Sequence, residues 1–196
     1  MNRILIVAGI LVGSVLVGTV GPIAQTAPPW RVVFDGSSLE PFDVVGSQAW
    51  SLVNGAAEAT TGPGSYLVTR QAFGNFDLRV EFWADPDTNS GVFIRCANPK
   101  EITDKSCYEV NVFDQRPDPI YRTGGIVHFA KPMAMIDAGG RWNTYEISAR
   151  GPRITASLNG IRTAEIEDGT FARGPIALQY GRGTIRVRTV EIREYD

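Results

Sequence analysis

Residues 142–160, WNTYEISARGPRITASLNG, decide the fold class. Tyr145, Ile147 and Ala149 alternate with Glu146 and Ser148, and Ile154, Ala156 and Leu158 alternate with Thr155 and Ser157. The period is two, so each run is a strand with one apolar and one polar face. Gly151-Pro152 turns the chain between them. Asn159-Gly160 follows, the dipeptide suited to a type I′ turn because both central residues there need positive φ.

The same pattern extends outward in both directions. Phe76, Leu78, Val80 and Phe82 alternate with Asp77, Arg79, Glu81 and Trp83. Val92 and Ile94 alternate with Gly91, Phe93 and Arg95; Tyr108, Val110 and Val112 alternate with Glu109, Asn111 and Phe113. Ile176 and Leu178 alternate with Ala177 and Gln179. Near the end the parity slips: Ile185 and Val187 are in phase, Val190 and Ile192 are not, which predicts a β-bulge near Arg188–Thr189. Turn signals such as Asp35-Gly36, Asn54-Gly55 and Gly181-Arg182-Gly183 separate the runs. Beyond the N-terminus no amphipathic helix is convincing, and Ala130–Ala138 reads either as one helical turn or as a loop around Pro132. Trp50 reads as a core residue. About a dozen short strands without repeat or linker imply one all-β domain, residues 32–196, with two antiparallel sheets packed face to face.

Charge and cysteine content narrow the function. The 196 residues carry 19 Lys+Arg against 21 Asp+Glu, so no basic excess exists to neutralise phosphates, and a nucleic-acid partner is not expected. One His and two Cys are too few for a Cys/His zinc site. No cofactor is expected. Asp114 and Asp118 could hold calcium only if backbone and water supplied most of its ligands, so no metal is assigned.

The N-terminus opens with Arg3 and then an uncharged run, Ile4 to Val20. This reads as a signal peptide over residues 1–24, with cleavage after Ala24 and a linker over 25–31. The competing reading is an uncleaved anchor, since ~17–25 apolar residues suffice to span a bilayer. Either places the domain outside the cytoplasm, where Cys96 and Cys107 are expected to pair and close a hairpin. A monomer is expected, touching a membrane only through an uncleaved N-terminus.

Taken in order, several segments resemble the 3-keto-disaccharide hydrolase family. They are Phe34–Leu39, "GSYLVT" (64–69), "FGNFDLRVEFW" (73–83), "NSGVFIR" (89–95), "YEVNVFD" (108–114), "TGGIV" (123–127), residues 142–160 and "GPIALQ" (174–179). The resemblance covers about residues 32–194. It implies a concanavalin-like jelly-roll sandwich and a small oxidised sugar or glycan as partner. It also implies cleavage by removal of the proton at C2, loss of the glycosidic oxygen from C1, and hydration. The chain departs from the family's pattern in having no His shortly after Gln179, Asn111 where a Gln is frequent, and Thr189 where an Asn is common.

Strand parity then nominates residues. If Val92, Ile94, Val110 and Val112 face the core, Phe93, Arg95, Glu109, Asn111 and Phe113 share the other face. Glu109 is the candidate base or acid, Arg95 the group holding the C3 oxygen, and His128, the sole imidazole, the proton shuttle. Phe93, Asn111 and, from neighbouring strands, Glu81, Trp83, Trp142 and Gln179 are candidate sugar contacts. A non-catalytic carbohydrate-binding module and a protein-binding envelope protein are the rival readings.

Overall fold

The computed structural model describes residues 27–196; the expected signal or anchor and its cleavage point lie outside them. The described residues form thirteen strands and one short 3-10 turn, Pro119–Tyr121. With strands numbered in chain order, the larger sheet runs β11 (Ile161–Glu167), β10 (Arg153–Leu158), β9 (Arg141–Arg150), β6 (Asn75–Ala84), β13 (Ile185–Tyr195), β4 (Ala56–Ala59), β3 (Ser51–Val53). The strand β1 (Arg31–Phe34) also pairs with β13. The smaller sheet runs β2 (Phe42–Gly46), β5 (Ser65–Phe73), β12 (Gly174–Tyr180), β7 (Ser90–Ile94), β8 (Tyr108–Val112). All pairings within the two sheets are antiparallel. The fold is the all-β sandwich the alternation predicts.

Apolar positions of the two inner faces form one core, with Leu78, Val80, Phe82, Tyr145 and Ile147 from the larger sheet meeting Leu67, Val92, Val110 and Leu178 from the smaller. Phe82 stacks on Tyr145 at 5.1 Å, worth about 0.5–1.5 kcal/mol beyond the area buried. The Tyr145 hydroxyl crosses between the sheets. It donates to the Asn111 carbonyl at 2.6 Å and accepts from the Gly124 amide at 2.8 Å. Trp50 is in the core. Asn159 and Gly160 both have positive φ, as a type I′ turn requires. The register slips between Val187 and Thr189, at the bulge read from the parity change. Residues 130–138 are a loop. Strand β1 begins at Arg31, inside the stretch read as linker.

One expectation needs correcting. In β7 and β8 both faces are buried, not one. The outer face of the smaller sheet is covered by the loop between Cys96 and Cys107, which are disulfide-bonded. Ile102 from that loop packs with Val68, Phe93 and Ala177 as a second, small core. That loop and the segment 113–127 after β8 rise above the smaller sheet, and the space they leave is the cleft described next.

Candidate functional site

The cleft follows from register. Across the smaller sheet Val68 pairs with Ala177, Ala177 with Phe93, and Phe93 with Glu109. In the adjoining row Tyr66 pairs with Gln179, and Gly91 with Asn111. Side chains two apart on a strand share a face, so Tyr66, Gln179, Gly91, Phe93, Glu109 and Asn111 all point outward. Gly91 opens the floor. A Cβ there would sit 2.8 Å from Glu109 Oε1 and 3.1 Å from its Cγ, so the Glu109 side chain lies where only glycine leaves room. The resulting space is about 390 Å³. Phe113 and Tyr121 form one wall, and Ile102, Thr103 and Asp104 of the disulfide-closed loop form the other. Arg116 stacks over the Phe113 and Tyr121 rings at 5.6 and 5.3 Å and carries positive charge at the rim.

Glu109 is 7% exposed, and its carboxyl makes no hydrogen bond among the described residues. Burial first, and the negative charge of Asp104 second, push its pKa up to about 8. Removing a carboxylate from water without a compensating donor disfavours the ion. The Tyr66 hydroxyl is also shifted upward: burial raises it most, the Gln179 hydrogen bond opposes, and the charges of Glu109 and Asp104 add to the rise. Gln179 Nε2 donates to Tyr66 Oη at 3.3 Å, which leaves the phenol proton free for another acceptor. Gln179 Oε1 is buried with no donor among the described residues. Asn111 is engaged: its Nδ2 donates to the Tyr121 carbonyl and holds the 119–125 loop against the sheet. His128 sits behind the wall. Its ring bonds Asp104 Oδ2 at 2.8 Å through Nε2 and packs edge-on to Tyr121. The φ of His128 is +68°, a left-handed backbone that a non-glycine residue adopts at a cost.

The structure gathers Glu109, Phe93, Asn111 and Gln179 on one floor, with His128 one residue removed behind Asp104. It separates the others. Arg95 follows the last residue of β7 with φ of +53°, and that left-handed step reverses the strand parity. Its side chain turns under the sandwich, where it donates to the carbonyls of Gly74, Gly151 and Phe171 at 2.9, 2.7 and 3.3 Å. It is a buried staple joining the ends of both sheets, not a cleft residue. Glu81, Trp83 and Trp142 belong to the outer face of the larger sheet, on the far side of the core. There Arg188 pairs with Glu81 and covers Trp142, and Arg186 covers Trp83.

Asp114 and Asp118 do not converge on a cation. Asp114 accepts from Thr123, Ala138 and Gly139, and Asp118 caps the 3-10 turn through Ile120. Among the described residues no group of three or more His, Cys, Asp or Glu is placed to hold a metal.

Tyr66, Asp104 and Tyr121 escape the sequence reading. Parity applied to "GSYLVT" puts Tyr66 outward, but its pairing with Gln179 depends on which strands become neighbours. Asp104 reaches the cleft only because the disulfide folds its loop back.

The sequence profile of the 3-keto-alpha-glucoside-1,2-lyase-like domain matches residues 29–193. Among curated proteins none matches. Two structures from Parabacteroides distasonis, both candidate glycosyl hydrolases, share the fold. One has a TM-score of 0.72 at 23% identity, covering 85% of this chain and all of the other. The second has a TM-score of 0.76 at 15% identity, covering 85% and 94%. The carbohydrate-binding module CBM66 from Bacillus subtilis superposes with a TM-score of 0.59 at 14% identity, covering 88% and 100%.

Proposed function

Because the chain belongs to the 3-keto-alpha-glucoside-1,2-lyase-like family, we propose that it cleaves 3-keto-glycosides by elimination and hydration in the Glu109 cleft. The C3 ketone acidifies the C2 proton, which Glu109 removes. The C2–H electron pair becomes an enolate with its charge on the C3 oxygen. The Tyr66 hydroxyl, free to donate, replaces the misplaced Arg95 as partner for that oxygen. The pair then returns to form the C1–C2 double bond as the C1–O bond breaks. The departing oxygen takes a proton relayed from the His128–Asp104 pair. Water adds at C1 of the enone, and the net change is hydrolysis. Gln179 holds the Tyr66 hydroxyl in place through its Nε2.

One observation carries the reading: an unpartnered buried carboxyl whose pKa stands near 8. A general base works best with a pKa close to the working pH. The export reading belongs with this proposal, supported by the Cys96–Cys107 disulfide, which is at home in an oxidising compartment.

Release of free sugar from a 3-keto-disaccharide is the direct test. Glu109→Gln is expected to lower kcat/KM by about 10²–10⁴-fold. For the wild type, kcat/KM rises roughly tenfold per pH unit up to about pH 8 and then levels, because the ionised form is the base. Full turnover by Glu109→Gln overturns the assignment. Calorimetric binding without turnover by the wild type favours the carbohydrate-binding module instead.

A further inference from the structure

The outer face of the larger sheet holds a second concavity, of about 530 Å³. Register again explains it. One row reads Arg193, Asp77, Ser148, Thr155, Glu165; the next reads Glu191, Arg79, Glu146, Ser157, Arg162. Short hydroxyl side chains on β9 and β10 make the floor. Long arginines, with Trp30, make the walls. Five arginines line the trough, namely Arg79, Arg150, Arg153, Arg162 and Arg193, against Asp77 and Glu146 in the lining and Glu165 and Glu191 at the ends of the rows, so arginines outnumber carboxylates by one.

The carboxylates use only part of the donor capacity. Arg150 and Arg193 both reach Asp77 Oδ2, and Arg79 reaches Glu146. Arg153 and Arg162 share Glu165 just outside, and their side chains stay 66% and 45% exposed. A guanidinium offers five N–H donors in a planar fork that matches carboxylates and sulfates. The surplus of positive charge is local, since the whole chain is at −2. The Trp30 ring is packed against the guanidiniums of Arg79 and Arg193 at 4.3 and 4.7 Å. It therefore holds those arginines in place as a wall rather than offering a free stacking surface. The volume falls in the range of a ligand of several rings, well above that of a single small anion.

We propose that this trough binds an acidic oligosaccharide, with the arginine forks taking its carboxylate or sulfate groups and Ser148, Thr155 and Ser157 its hydroxyls. The site is on the opposite sheet from Glu109 and is independent of the cleavage proposed there. It would hold a charged glycan against the protein without cutting it.

Calorimetry with trigalacturonate at low salt tests this. Binding is expected to the wild type and to Glu109→Gln alike, and none is expected for the neutral maltotriose. The double variant Arg153→Gln/Arg162→Gln should bind at least tenfold more weakly. Ser157→Tyr, which fills the floor without changing charge, should do the same; thermal melts of both variants report that they fold. The proposal is overturned if trigalacturonate does not bind, or if neither variant weakens it. It is equally overturned if Glu109→Gln tightens binding at least tenfold, which would put the anionic ligand in the other cleft. Inorganic sulfate matching trigalacturonate in affinity would leave no saccharide site.

Discussion

The two outer faces of this sandwich obey one rule of alternation and arrive at opposite electrostatics. On the larger sheet, Asp77, Glu146 and Glu165 of the central rows each have an arginine partner, and the face is open to water. Burial opposes ionisation of Asp77, but Ser148, Arg150, Arg193 and Tyr195 outweigh it and hold its pKa down at about 2. On the smaller sheet, loops cover the face, Glu109 has no cation beside it, and its pKa rises to about 8. The same residue class is thus an ion-pair partner on one face and a desolvated carboxyl with a raised pKa on the other. What differs is not the strand pattern but what is stacked above it.

The sharpest way to break this contrast is to remove the charge that the covered face tolerates poorly. Above pH 8 the folded protein must hold a buried carboxylate that the unfolded chain leaves in water. The raised pKa therefore costs stability progressively between about pH 5 and pH 8, at ~1.4 kcal/mol for each step of one in pH. Glu109→Gln should match the wild type near pH 5 and exceed it by roughly 3–5 kcal/mol at pH 9. Thermal unfolding at the two pH values measures it, and equal gains at both would show that Glu109 is not desolvated. Opening the covering loop comes next. Cys96→Ser/Cys107→Ser, or reduction, releases a loop of 11-residue separation and should cost about 3 kcal/mol in the chain-entropy account. Because Asp104 and Ile102 then leave the cleft wall, the pH midpoint of catalysis should move down toward the usual carboxylate range, which a pH–rate profile reads.

The smallest effect belongs to the open face. The depressed pKa of Asp77 gives stability that is present above about pH 4 and lost as pH falls toward 2. Solvent near the trough screens it, so Asp77→Asn should cost about 1–2 kcal/mol at neutral pH. The variant's stability should fall less than the wild type's between about pH 4 and pH 2, so that the two converge near pH 2. No change on either count would mean that its ion pairs contribute nothing net.

How far the sequence led can be judged from single residues. Tyr145, Ile147, Ile154 and Ala156 were legible as core because a pleated strand leaves no choice of side. The bulge at Val187–Thr189 was legible for the same reason, since apolar parity can change only where the ladder slips. Glu109, Phe93, Asn111 and Gln179 were placed on a common face by that argument alone. Arg95 was misplaced because one left-handed φ inverts parity, and nothing in "FIRCA" announces it. Glu81, Trp83 and Trp142 were misplaced because alternation says which side of a strand a residue takes, not which sheet the strand joins.

The sequence by itself therefore determined the period, the turns, the two-faced strands and the carboxyl group that faces outward at Glu109. Those are local matters, set by bond geometry and by the gain from burying alternate side chains. Only the tertiary structure decided that Tyr66 and Gln179 join Glu109, that a disulfide-closed loop walls the cleft, and that five arginines meet over a floor of hydroxyls. Strand order and loop packing depend on contacts between residues far apart in the chain, and desolvation exists only once those contacts have formed.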